Sequence, residues 1–239
     1  MNQISTNKTV QVWKIPLETT DLTQHRYFDC LSADEQSRAD RFRFPDDRRK
    51  FIVARGTLRY LVAQQLNQSP KDICFDYGDY GKPSLSPSTE LPATHSDRCH
   101  FNLSHSGELA LCAFSDHRPV GIDIEKLKPI SHLESMMARC LLEKEQAAVN
   151  AAQNPLEAFL QHWTCKEAYL KAIGMGLSQS MQTVEIDMTP PRLKNVPQDC
   201  AEGWHLHKID VPAPYVGALV VAGTAEIRTH LWQHKPLET

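Results

Sequence analysis

Val120-Gly121-Ile122-Asp123-Ile124-Glu125 reads as a strand that carries two acids on one face. Side chains two apart in a strand point the same way, so Asp123 and Glu125 share a face while Val120, Ile122 and Ile124 fill the other. Two like charges side by side are unfavourable unless a cation stands between them, which makes a hard divalent metal the first candidate. A third acid lies downstream. From Pro155 to Gly174 the pattern is helical, with an apolar stripe at Leu156, Phe159, Leu160, Trp163 and Leu170. At about 100° per residue Glu167 falls about 20° from Leu156, inside that stripe, and Lys171 about 60° from it. A carboxylate buried without a partner costs several kcal/mol, so Glu167 is expected to pair or to bind a metal. An ordinary surface pair between Glu167 and Lys171 is the plainer alternative.

The 239 residues, 41% of them hydrophobic, suffice for a real core in one domain or two small ones. No charged n-region followed by an apolar h-region opens the chain, so no signal peptide is read. The longest apolar run, Tyr215 to Ala222, is too short to cross a bilayer and reads as a buried strand. Seven cysteines, an odd number and none in C-x-x-C spacing, argue against a disulfide framework or a zinc site and for the reducing cytoplasm. A formal net charge of -3 makes nucleic acid an improbable partner for the whole protein.

Working outward, Val10 to Ile15 alternates as a first strand, and Ser32-Ala33-Asp34-Glu35 is a capping box opening a helix to about Phe42. A second helix follows Pro45 to about Leu66, with Phe51, Ile52, Leu58, Leu61 and Val62 inward. Ile73 to Phe75 is a short strand, Tyr77 to Pro83 a loop, and Cys99 to Leu103, Glu108 to Phe114 and Val120 to Glu125 are strands. Helical segments from about Ser131 to Asn150 and from Pro155 to Gly174 precede strands at Met181 to Asp187, His205 to Ile209 and Tyr215 to Val221, with Thr189 to Pro197 as a loop or an excursion between strands. Helices and strands do not alternate strictly, which points to an α+β fold rather than a doubly wound sheet. Their order hints at two similar lobes, 1–118 and 119–239, although no residue-level repeat is evident.

Two further features suit anions. Phe101-Asn102-Leu103-Ser104-His105-Ser106-Gly107 leaves a strand with hydroxyls, an amide and a histidine fit for phosphate oxygens. Ser104 beside His105 is poorly placed for nucleophilic catalysis, because adjacent side chains diverge and no G-x-S-x-G elbow is present. Between Arg38 and Arg59 stand Arg38, Arg41, Arg43, Arg48, Arg49, Lys50, Arg55 and Arg59 against only Asp40, Asp46 and Asp47. Such a run is either a solvated face or a site for phosphates or an acidic partner.

In order and separation, N-L-S-H-S-G, then G-I-D-I-E, then W-T-C-K-E-A-Y-L-K, with Tyr80-Gly81-Lys82-Pro83 upstream, resemble the Sfp-type 4′-phosphopantetheinyl transferases over about Ala33 to Leu177. The resemblance implies two fused copies of one α+β lobe with coenzyme A in the cleft between them. It implies transfer of the phosphopantetheine arm to a serine of an apo acyl, peptidyl or aryl carrier protein. Asp123, Glu125 and Glu167 would be Mg²⁺ ligands, Glu125 the least secure. Lys171 would meet the transferred phosphate, with Glu167 accepting the serine proton. Tyr80, Gly81 and Lys82 would touch the nucleotide, Asn102, Ser104 and His105 the phosphates, and Arg38 the coenzyme. A chain holding both lobes is expected to work as a monomer. Two alternatives remain open at this stage, another coenzyme A transferase and a non-catalytic carrier-protein binder on the same scaffold.

Overall fold

In the computed structural model residues 9–79, 81–86, 99–175 and 180–234 are described. The first half runs β1 (Thr9–Pro16), α1 (Asp21–Cys30), α2 (Ala33–Asp40), α3 (Pro45–Leu66), β2 (Phe75–Tyr77), β3 (Pro83–Leu85), β4 (Cys99–Ser106) and β5 (Leu109–Asp116). The second runs β6 (Val120–Lys126), α4 (Leu133–Cys140), α5 (Glu143–Asn150), α6 (Pro155–Ala172), β7 (Glu185–Met188), β8 (Pro191–Asn195), β9 (Trp204–Ile209), β10 (Tyr215–Ala222) and β11 (Glu226–Leu231). Strand order is β11-β1-β5-β4 in one sheet and β6-β10-β9 in the other, with β2-β3 and β7-β8 as separate hairpins. The class is α+β.

The layers follow from strand alternation. Ile15, Ala110, Cys112 and Phe114 on one face of the first sheet pack with Ile52, Leu58 and Val62 of α3. From its other face, Val10, Val12, Leu111 and Ala113 meet Ile122, Ile124, Leu219 and Val221 of the second sheet. The opposite face of that sheet presents Ala218 and Val220 to Cys165, Ala168 and Tyr169 of α6. Two sheets are thus sandwiched between two long helices. Among the described residues no helix is long and apolar enough to cross a membrane.

A repeat does exist at residue level. Cys30-Leu31-x-x-x-Glu35-Gln36 recurs as Cys140-Leu141-x-x-x-Glu145-Gln146, and the same offset puts Pro45 of α3 on Pro155 of α6. Its meaning is structural. Glu35 accepts the amide of Ser32 at 3.1 Å as a capping residue, yet it is 1% exposed and also receives Arg59 Nε at 2.6 Å. Glu145 accepts Leu142 N at 2.9 Å and Lys166 Nζ at 2.6 Å in the same way. The cations continue outward, Arg59 to the carbonyls of Pro70 and Ile73, Lys166 to those of Cys140 and Met181. Each half of the chain therefore pins its short helix to its long one with a buried ion pair whose cation also donates to two backbone carbonyls.

Several expected elements differ. The helical stretch from Ser131 to Asn150 is two helices, because Leu141 and Leu142 adopt extended backbone. Thr189 to Pro197 is not a loop: β8 closes a hairpin on β7, supported by Arg192 and Asp187 at 2.9 Å. Helix α1, capped by Thr20, and strand β11 carry no strong periodic signal and went unread. β11 pairs in parallel with β1, from Thr9 opposite Glu226 to Lys14 opposite Leu231. Trp232 and His234 follow it onto Tyr27, at 2.9 and 2.8 Å.

Lys166 is fully buried, so Lys166→Met, which strands the Glu145 carboxylate, is expected to cost about 3–5 kcal/mol in urea denaturation. A loss below about 1 kcal/mol, the range of an exposed pair, would show that the pair does not hold α5 to α6.

Candidate active site

β4 and β6 are edge strands of different sheets, and side chains do the work of a ladder between them. Asn102, Ser104 and Ser106 alternate onto one face of β4. Asn102 Oδ1 accepts the amide of Ile122 at 2.9 Å, and Ser106 Oγ accepts that of Lys126 at 3.1 Å. Ser104 Oγ donates to Asp123 Oδ1 at 2.7 Å, and Ser106 Oγ to Glu125 Oε2 at 2.7 Å. Strand β4 therefore continues past the expected end at Leu103 to Ser106, because its hydroxyls have carboxylate and amide partners across the seam. His105 lies within this strand, not in a turn, and is exposed on the face opposite Ser104.

Asp123 and Glu125 stand opposite Ala218 and Val216, on the face that α6 covers. Gly121 lets α6 come this close: a Cβ there would lie 2.1 Å from Ala168 O and 2.3 Å from Ala172 N. Lys171 Nζ reaches Asp123 Oδ1 at 2.6 Å and Ser104 Oγ at 2.9 Å. Glu167, one turn earlier, is 6% exposed, as its place in the apolar stripe required, and Asp123 is 3% exposed. Asp123 Oδ2 and Glu167 Oε1 are both buried without a hydrogen-bond partner. Burial raises the Glu167 pKa to about 7; the Lys171 cation pulls it down, while the Asp123 and Glu125 charges push it further up. Glu125 is also raised, first by burial, with the Ser106 bond opposing and Asp123 adding.

Among the described residues no three Asp, Glu, His or Cys side chains stand as a ready-made metal cage. Glu125 turns one oxygen to Ser106, and Lys171 occupies one oxygen of Asp123. The donor set nevertheless fits a hard cation: two buried carboxylates each keep an orphaned oxygen, and a third lies one strand repeat away. Such an ion completes its shell from water and substrate oxygens.

The remaining expected residues spread out. Lys82 points its ammonium at the end of α6, and Gly81 has φ +76°, the left-handed region. Tyr80 lies outside the described residues. Arg38 is exposed on α2, 5.2 Å over the Phe51 ring. In the basic run Arg49 and Lys50 bridge Asp46 to Glu108, Arg48 pairs with Asp40, and Arg59 with Glu35. Arg55 is buried beside Glu35 at 3.6 Å, and its Nη1 has no partner. Crowding around the His105 ring, then the Lys171, Lys50 and Arg55 charges, hold its pKa below the ordinary imidazole value. Sequence reading missed the roles of Ser106, Gly121 and Arg55. The two-residue spacing of Asn102, Ser104 and Ser106 was the available signal for the first.

Two outcomes are expected. Gly121→Ala forces backbone against backbone and should cost about 1–3 kcal/mol by chemical denaturation. In metal-free buffer the folded protein holds the Glu167 proton more tightly than the unfolded chain between pH 4.5 and about 7. The stability this confers is complete below that window and lost as pH rises through it. Glu167→Gln should flatten this slope; an unchanged profile would mean that Glu167 titrates normally.

The model of the 4′-phosphopantetheinyl transferase superfamily matches residues 119–220, and the model described as 4′-phosphopantetheinyl transferase, N-terminal, matches residues 18–117. The chain is 38% identical over 216 residues to 4′-phosphopantetheinyl transferase HetI of Nostoc sp., covering 90% of this chain and 88% of that one. It is 32% identical over 164 residues to 4′-phosphopantetheinyl transferase Sfp of Bacillus subtilis, covering 67% and 68%. A solved holo-(acyl-carrier-protein) synthase from Bacillus anthracis, in complex with CoA (3′,5′-ADP), is 27% identical with a TM-score of 0.38, over 45% of this chain and 96% of that one. With a relative this similar along nine-tenths of its length, the chain belongs to the 4′-phosphopantetheinyl transferase superfamily.

Proposed function

We propose that the chain transfers the 4′-phosphopantetheine arm of coenzyme A to a serine of an apo carrier protein, releasing adenosine 3′,5′-bisphosphate. The observation that carries the site assignment is the pair of buried, unpartnered oxygens on Asp123 and Glu167 beside the Lys171 ammonium. Family membership and the named transferase relatives support the reaction. The alternatives, acyl transfer from coenzyme A or carrier binding alone, have no observation in their favour.

Asp123, Glu167 and Glu125 would hold Mg²⁺, which would supply charge neutralisation for a bound diphosphate. The serine Oγ attacks the β-phosphorus, and the bond from that phosphorus to the bridging oxygen of the α-phosphate breaks. Lys171, whose ammonium reaches Asp123 at 2.6 Å, would offset charge building on the transferred and leaving oxygens. Glu167 would take the serine proton, directly or through a water. His105 feels the Lys171, Lys50 and Arg55 charges against that of Asp47, and would meet the coenzyme phosphates. Arg55, whose Nη1 is buried without a partner, would offer them a further donor. Arg38 belongs to the same reading as a coenzyme contact, and Asn102 and Ser104 hold the strand from which His105 projects.

The basic run is mostly committed internally, which changes where an acidic carrier would dock. Arg48 and Arg49 pair with acids of this chain, whereas Arg41 and Arg43 are exposed and have no carboxylate partner among the described residues. The enzyme is read as a monomer, because both lobes that flank the site come from one chain. A reducing cytoplasm suits its seven free cysteines.

Mass spectrometry of an apo carrier incubated with the protein, coenzyme A and Mg²⁺ should show gain of the phosphopantetheine arm. Release of free coenzyme A thiol without that gain would refute the reading. Glu167→Gln should lower kcat by about a hundredfold or more. Near-normal turnover with metal still bound would remove Glu167 as the base.

A further inference from the structure

Lys82 opens the question of what its ammonium is for. It stands at the exit of the turn between β2 and β3, where Gly78 N donates to Lys82 O at 3.0 Å and Gly81 N to Gly78 O at 2.8 Å. Its Nζ donates to Lys171 O at 2.6 Å, Ala172 O at 3.2 Å and Val120 O at 3.3 Å. An ammonium has three hydrogens, and three carbonyls receive them. Two of these belong to the last residues of α6, where helix carbonyls lack intrahelical partners and the helix end is negative. The third begins β6, immediately before Gly121, the residue that admits α6 to the strand. No carboxylate stands within ion-pair distance of Lys82 among the described residues. Burial alone draws its pKa down to about 8, as befits a cation shut away from water among neutral partners.

We propose that Lys82 is a positioning residue: its ammonium ties the β2–β3 hairpin of the first lobe to the end of α6 and the start of β6, and so fixes the backbone from which Lys171 reaches Asp123. This differs from a nucleotide contact. The charge is spent on the helix end, so the residue acts on the reacting atoms only through Lys171. The hairpin thereby becomes part of the frame of a site to which it contributes no reacting group. The kinetic consequence rests on the transferase activity proposed above; the structural consequence does not.

Lys82→Met keeps the length of the stem and removes all three donors, and Lys82→Arg keeps charge and donors. Hydrogen exchange on the full, ligand-free chain would be read at Ile173, Gly174 and Met175, whose amides close the last turn on Tyr169, Lys171 and Leu170. Lys82→Met should speed exchange there by about tenfold or more and leave α3 unchanged, with Lys82→Arg recovering most of the protection. In transfer assays kcat should fall by about tenfold at unchanged KM for coenzyme A, and the Kd for adenosine 3′,5′-bisphosphate should stay within about twofold. Unchanged exchange at those amides overturns the proposal, and a bisphosphate Kd weakened tenfold beside unchanged exchange would assign Lys82 to the nucleotide instead. Should Lys82→Met fail to fold, Lys82→Gln, which offers two hydrogens to three carbonyls, is read by the same criteria. A wild-type protein without transfer activity would refute the reaction and leave the exchange measurement standing.

Discussion

Two sheets meet along β4 and β6 without a backbone ladder, and everything at the site depends on how that seam is filled. Asn102, Ser104 and Ser106 replace strand-to-strand hydrogen bonds with side-chain ones, satisfying the amides of Ile122 and Lys126. Because hydroxyls both donate and accept, Ser106 also holds the carboxylate of Glu125, and Ser104, which accepts from Lys171, holds that of Asp123. An ordinary ladder would have brought the strands closer and left no lateral space for acids. Apolar side chains in their place would have left buried amides unpaired. The seam is thus polar for a structural reason, and the acids inherit the surroundings that make them chemically useful.

Helix α6 completes the arrangement from above, and its sequence has to satisfy two demands at once. Cys165, Ala168 and Tyr169 must fill the second sheet, while Glu167 and Lys171 must sit over β6. The helix can do both because Gly121 removes the side chain that would lift it away. The unfavourable proximity of Asp123, Glu125 and Glu167 is borne by apolar packing elsewhere in the same lobe and relieved by Lys171. Binding sites commonly store such local cost in a frame that over-determines them.

Much of this was legible in the chain. Asp123, Glu125 and Glu167 were marked by charge set within apolar periodicity, and burial of Asp123 and Glu167 follows that pattern. Strand β10 and helices α3 and α6 were readable because their apolar positions recur at fixed intervals. What failed to show was anything decided by partners distant in sequence. Glu35 looked like a cap and is also half of a buried ion pair with Arg59. Lys166 drew no expectation from the sequence, yet it is fully enclosed, because Glu145, Cys140 and Met181 converge on it. The run of arginines reads as a solvated face or an anion site, but Asp40, Asp46 and Glu108 pair with Arg48 and Arg49 within it. β11 was unreadable because only Ile227 and His230 are partly buried, three residues apart, and no apolar face repeats along it.

The parallel pairing of β11 with β1 has a consequence for how the chain comes together. The first lobe's sheet keeps an unpaired edge along Val10 to Lys14 until residues 226–231 have emerged, so it cannot close during synthesis ahead of the second lobe. A contact between strands so far apart in the chain is among the last to form. The first sheet takes strands from both halves of the chain, so the two halves are not independent folding units.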